Sequence, residues 1–334
     1  MRRLLLNLVL CVLFLLASSA SANNMNLWWN GNGDGSSWHD GGNWGGGNTP
    51  SGGANSWGDV ANIGGLGYAA TINSTTGSVA AKELKIAYGA SGDGALNVNS
   101  GGSLDLFYHV NLGVDGTSSG GTLNINGGTL STGIGSGNGN LRVYGNGHVV
   151  NLNSGTINVN GTSWGGQVTM GYAASAGSTT TFNVNGGTLN ASAIKLGAAA
   201  GSGTNNFNMK AGEINLGMYF EIAYESNTTS HVQFDGGIIT ANDLFIRNDD
   251  DQFGTMDMTG SAKLILDGDD RANICSWYTD GRLTAYDGIG SLVIDYGVTN
   301  AGKTTVTVIP EPATITLLCM GGIALFRRKK RLSN

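Results

Sequence analysis

The sequence predicts an all-β chain folded as a parallel β-helix, a solenoid of about eight coils. Three observations carry that prediction. A short word of Asn, Gly and alternating aliphatics returns about every 25 residues. A second strand-like piece, with two apolar residues one position apart, follows most copies of that word. Of the 334 residues, 57 are Gly without a G-X-Y period and only three are Pro, which suits short strands joined by tight turns. The 40% hydrophobic fraction is enough for a core and argues against disorder.

Residues 1–22, MRRLLLNLVLCVLFLLASSASA, form the first unit. Arg2 and Arg3 precede an apolar stretch from Leu4 to Leu16, and Ala20-Ser21-Ala22 follows. This is the order of a secretory signal peptide, with Ala20 and Ala22 at the cleavage site and the mature chain starting at Asn23. The stretch is short for an uncleaved membrane anchor. Cys11 is a poor lipoprotein cysteine, because Leu10 stands where a small residue is wanted. Export through the secretion translocon is the expectation.

Charge is read without the two ends. Of 17 Lys and Arg, two lie in the leader and five in the tail, leaving ten against 23 Asp and Glu, a body near −13. Such a surface argues against nucleic acid or an anionic membrane as partner. Cys275 is the only cysteine of the body, so no intramolecular disulfide forms there, and it is expected in the core.

Residues 23–65 differ in composition, with Trp28, Trp29, Trp38, Trp44 and Trp57 among Gly, Asn and Asp. A solenoid end exposes strand edges and apolar side chains, so an indole-rich N-terminal cap is expected. A competing reading gives Trp28, Trp38 and Trp44 to stacking on sugar rings.

Residues 66–283 hold the repeats. TINSTTGSV, LNVNSGGSL, LNINGGTL, LNSGTI, FNVNGGTL, FNMKAGEI, VQFDGGII and MDMTGSAKL align on Gly77, Gly102, Gly128, Gly155, Gly187, Gly212, Gly237 and Ser261. Alternation such as Leu123-x-Ile125 puts apolar side chains on one face and Asn or Thr on the other. Strands this short become stable only when stacked on the equivalent strand of the next coil. An antiparallel sandwich is disfavoured, because the same word recurs once per coil and not once per hairpin. GIGSGNGN and NGTSWGGQ are expected to bulge from corners as loops. Terminal strands are expected over 284–308.

No catalytic constellation is apparent, and the expectation is a protein that is not an enzyme. The acidic clusters are Asp249-Asp250-Asp251 and Asp267-x-Asp269-Asp270, each just after a repeat strand. Solvated loop charge is the first reading and a structural Ca²⁺ site on adjacent coils the second. His39, His109, His148 and His231 show no ligand spacing and are expected at the surface or at strand ends.

Residues 309–334 close the chain. Pro310-Glu311-Pro312 holds the backbone extended and denies it ladder donors. The apolar run from Ala313 to Phe326 is expected to form a single membrane-anchor helix. Arg327, Arg328, Lys329, Lys330 and Arg331 would act as a stop-transfer cluster on the cytoplasmic side.

Two resemblances follow from these residues. The order Val308-Ile309-Pro310-Glu311-Pro312-Ala313, apolar run and basic end resembles the PEP-CTERM sorting signal of Gram-negative bacteria. That resemblance implies recognition by an exosortase at Pro310, Glu311 and Pro312 and transient anchoring in the inner membrane. It also implies transfer to the surface or extracellular matrix, where the partner would be exopolysaccharide. The Trp-rich segment and the words LNINGGTL and FNVNGGTL resemble exported proteins with autotransporter-like β-helical repeats. No membrane barrel of amphipathic strands follows, so self-translocation is not expected. The combined expectation is an exported structural or adhesive solenoid; the alternative is a carbohydrate-binding or carbohydrate-cleaving β-helix.

Overall fold

The computed structural model describes residues 25–50, 58–64, 69–88, 93–113, 120–161, 165–172, 178–201, 203–249 and 251–310. The anchor helix expected over 313–326 lies outside them, as do Ala20, Ala22, Asp250, Glu311, Pro312 and the basic cluster 327–331. Among the described residues no helix is long and apolar enough to cross a membrane.

The strands wind into a stack of three parallel columns, an all-β solenoid of about eight turns. The first column runs Asn26–Trp28, Val60–Ile63, Glu83–Ile86, Val110–Leu112, Asn140–Tyr144, Gln167–Tyr172, Ala193–Leu196, Tyr219–Ile222 and Asp243–Ile246. The second begins at Ala69–Ile72 and Ala95–Asn99 and continues through Ser178–Val184, Gly203–Met209, Thr228–Phe234 and Gln252–Met258. The third holds Ser78–Ala81, Ser103–Leu106, Thr188–Ala191, Glu213–Leu216, Ile238–Ala241 and Lys263–Asp267. Thr122–Thr132 and His148–Val159 pass through the corner unbroken and belong to both of these columns.

Alternation within each strand selects the core. Ala95–Asn99 buries Leu96 and Val98 completely and leaves Ala95, Asn97 and Asn99 facing out. Register then stacks like on like: Val150 lies beside Phe182, Phe182 beside Phe207, and Phe207 beside Val232. The Phe182 and Phe207 rings stack at 5.3 Å and 26°. Each such side chain gains about 1.5–3 kcal/mol from burial that a lone strand could not supply.

Outside the core the same register lines up amides. Asn97, Asn124, Asn151, Asn183 and Asn208 form one ladder, each Nδ2 donating to the preceding Oδ1 at 2.8–2.9 Å. Asn99, Asn126, Asn153 and Asn185 form a second; Asn158, Asn190 and Asn215 form a third.

The corner between the second and third columns needs glycine. Gly187 has φ +77°, and a Cβ there would sit 2.5 Å from the Gly155 carbonyl oxygen. Gly212 and Gly237 repeat that 2.5 Å approach to Gly187 and Gly212. The last coil departs from the sequence alignment. Phe234 pairs Met258 and Ile238 pairs Lys263, so this corner has one additional residue and Ala262, not Ser261, stands in the place of Gly237. The longer corner relieves the crowding, and a side chain is accommodated.

Both ends are closed. At the N-terminal end Asn26–Trp28 pairs in parallel with Val60–Ile63 and extends the first column by one strand. At the other end the helix α1 (Arg271–Thr279) covers the last coil with Ile274 and Trp277. Lys303–Ile309 then runs antiparallel between Lys263–Asp267 and Ser291–Tyr296, ending the parallel stacking.

Candidate functional site: the sorting junction and the solenoid ends

The last strand leads straight into the proline pair. Ile309 is still in register with Ser291, and Pro310 follows, exposed and without a ladder hydrogen bond. Proline has no N–H to donate, so the ladder stops there for a covalent reason. The junction therefore leaves the folded body at its C-terminal end with no spacer between ladder and motif.

The N-terminal cap buries most of its described indoles. Trp38 and Trp44 are 0% and 1% exposed. Their rings meet edge to face at 4.9 Å, the Trp44 Nε1–H donates to the Trp38 carbonyl at 2.9 Å, and Trp29 meets Trp44 at 5.1 Å. The loop around them is tied by Asp34, which accepts from the backbone N–H groups of Ser36 and Ser37 and from Asn43 Nδ2. Those bonds hold its carboxyl below the usual carboxylate range. Stacking of Trp38 and Trp44 on sugar gives way, because neither ring is open to solvent. Trp28 is different, 44% exposed and 5.3 Å from the ring of Tyr88.

The acidic residues do not gather. Asp267 pairs with Lys303 and Asp269 with Arg271, whose guanidinium holds the Asp269 carboxyl low. Asp270 precedes α1 and is pushed up, first by burial and then by the charges of Asp243 and Asp269. Asp249 and Asp251 lie just before Gln252–Met258. Among the described residues no three His, Cys, Asp or Glu side chains converge to hold a metal ion.

Cys275 is exposed on α1 and not in the core, because the buried side of that helix is taken by Ile274 and Trp277. The histidines scatter, but not all to the surface. His148 is fully buried, with Nδ1 accepting from the Gly121 N–H at 3.0 Å. His109 accepts from the Asn140 N–H at 3.1 Å, and burial with the nearby Arg142 charge lowers its pKa to about 4.

Hollows among the described residues include two on the strand faces. One of about 600 Å³ is neutral, with Asn160, Asn190, Ser192, Asn215 and Met218 in its wall. The other, about 450 Å³, brings His231, Asp257 and Asp287 together on the second column. Sequence reading missed this group, since its members come from three coils and only the register Gln233–Asp257–Thr284 places them together. Asp257 Oδ1 accepts from the Thr284 hydroxyl and from the Asp287 N–H at 2.9 Å, so the carboxylate is already engaged.

Comparison of the chain with curated proteins and with solved structures finds no match. Comparison with known families finds one at the junction, where residues 308–331 match the PEP-CTERM protein-sorting motif. That motif implies export and processing by an exosortase. The chain is thus a β-solenoid that carries the PEP-CTERM sorting signal, which begins within the final two residues of its last described strand.

Proposed function

We propose that this protein is a structural or adhesive solenoid of the cell surface or extracellular matrix, associated there with exopolysaccharide, and that it is not an enzyme. The observation that supports this most is the join itself: the last strand of a capped solenoid runs to Ile309, and the sorting motif starts at its end, from Val308. The run 313–326 serves as the transient anchor and residues 327–331 as its stop, with the body held outside until the exosortase cuts near Pro310-Glu311-Pro312. Replacing Glu311 by Ala in the full chain tests the sorting step. The variant is expected to stay in the membrane fraction at its unprocessed size, and processing and surface display equal to wild type would sink the proposal.

A carbohydrate-cleaving reading has one observation in its favour, the hollow with His231, Asp257 and Asp287. Incubating the purified chain with a panel of exopolysaccharides decides it. Released oligosaccharides that vanish with Asp257→Asn would make the protein an enzyme.

A further inference from the structure

The outer face of the first column differs from the amide-bearing faces beside it. The positions alternating with its core residues stack in register as Lys85, Asn111, Arg142, Thr169 and Lys195, the three cations partly exposed and Asn111 and Thr169 buried between them. A cation thus stands on every second coil with a small neutral polar side chain between, a spacing of about 10 Å from strand separations of about 4.8 Å. Among the described residues none of these three cations forms an ion pair. Each lies against an aromatic ring instead: Lys85 4.9 Å from Tyr88, Arg142 5.6 Å from Tyr172, and Lys195 4.2 Å from Tyr224. Exposed aromatics bound the row, Trp28 two coils before Lys85 and Phe245 two coils after Lys195.

The charge of this strip is opposite to that of the body. From Glu83–Ile86 to Ala193–Leu196 the first-column strands carry three cations and one carboxylate, Glu83. Glu83 accepts from Asn111 Nδ2 at 2.6 Å and is partly buried between the coils. Further along, Glu221 is buried and paired with Arg247, which ends the cationic run.

We propose that this strip is a docking face for an extended acidic polysaccharide, its carboxylates meeting Lys85, Arg142 and Lys195 and its rings lying against the tyrosines. The ligand must be straight, repeating, ring-bearing and anionic. A 1,4-linked glycan in an extended two-fold conformation also repeats every second ring, which matches a cation on every second coil. Flat sugar faces suit the aromatic rings, and the cations supply charge that the rest of the acidic body would repel. A nucleic acid single strand shares rings and charge but is a flexible chain with no fixed two-ring repeat to match a cation on every second coil. This inference rests on the exopolysaccharide association proposed above and assigns it a chemical class and a place.

Affinity electrophoresis of the purified chain tests it, in gels cast with polygalacturonate, neutral dextran or single-stranded DNA. Retardation is expected in polygalacturonate alone and should weaken as salt is raised. Replacing Lys85, Arg142 and Lys195 together by Gln should raise the apparent Kd by about tenfold or more, while Lys210→Gln with Lys263→Gln should leave it within about twofold. If the triple variant melts lower than wild type, the charge-keeping Lys85→Arg with Lys195→Arg decides, with retained binding expected and lost binding overturning the charge role. Unchanged binding of a folded triple variant overturns the docking face. Retardation by dextran that the variants do not alter also overturns it, while leaving glycan association intact. Stronger retention by DNA overturns the glycan assignment. No retardation in any gel overturns both docking and glycan association, and the sorting step is then judged by Glu311→Ala alone.

Discussion

Asn183 donates its side-chain N–H to Asn151 Oδ1 at 2.8 Å although 32 residues separate them, while Asn208 makes the same bond to Asn183 across 25. The seven extra residues of the longer coil are therefore absorbed in its loops, and the ladder does not notice them. Asn151 sits mid-ladder as donor to Asn124 and acceptor from Asn183. Asn151→Ala removes both bonds and leaves each neighbour with an unmet amide, for a loss of about 1–3 kcal/mol. Chemical denaturation should show a lower midpoint with an unchanged slope.

Gly212 is held at φ +93° with the Gly187 carbonyl oxygen 2.5 Å from where a Cβ would lie. Gly212→Ala combines an unfavourable backbone region with a clash against rigid backbone, and is expected to cost about 1–3 kcal/mol or more. Ala262→Gly, at the equivalent position of the longer last corner, should cost less than about 1 kcal/mol. Thermal melting of the two variants compares them directly, and an equal loss would refute the corner argument.

Trp44 is buried, hydrogen-bonded to Trp38 and packed edge-on by two rings. Trp44→Ala should lower stability by about 3–5 kcal/mol and expose the end of the first coils to proteolysis. Trp28→Ala, at a half-exposed ring, should cost far less. Limited proteolysis followed by mass spectrometry would locate the first cuts near the N-terminal cap in the Trp44 variant only.

His109 is neutral in the fold, its Nδ1 accepting the Asn140 N–H. Its pKa is lowered from 6.5 to about 4, first by burial and then by Arg142. The unfolded chain therefore binds a proton that the folded chain refuses between those values. The stabilisation is complete above pH 6.5 and is lost progressively as pH falls toward 4. The ring is partly solvated, so the effect is smaller than a fully buried group would give. Glu83 is raised, mainly by burial, and acts with the opposite sign near its own pKa. His109→Gln keeps an acceptor without titrating, and its melting temperature should vary less between pH 6.5 and 4.5 than that of wild type.

Much of this architecture is legible in the residues because a solenoid is local. The word LNVN followed by a Gly corner specifies an alternating strand, a turn and an outward amide, and repetition at a near-constant period lets each coil rest on the last. The proline pair is legible for the same reason: Pro310 cannot continue a ladder whatever surrounds it. Misreadings fall where a residue's surroundings come from another coil. Cys275 looks like a core residue by type, but it lies on α1, a helix whose buried side other residues occupy. His148 does begin its strand, as its type and place suggest, but its burial is invisible along the chain, since the Gly121 N–H it accepts comes from the preceding coil. The shift from Ser261 to Ala262 hides in one additional corner residue that only strand register reveals.

The sequence by itself determined the period, the alternation, the glycine corners and the sorting signal, since each depends on neighbours along the chain. Tertiary structure alone decided which coils share a face. Lys85, Arg142 and Lys195 are separated by dozens of residues and form no motif, but parallel register places them on one line. Irregular coil lengths cancel in the loops, so the spacing of those charges is set by hydrogen bonding between strands and not by distance along the chain.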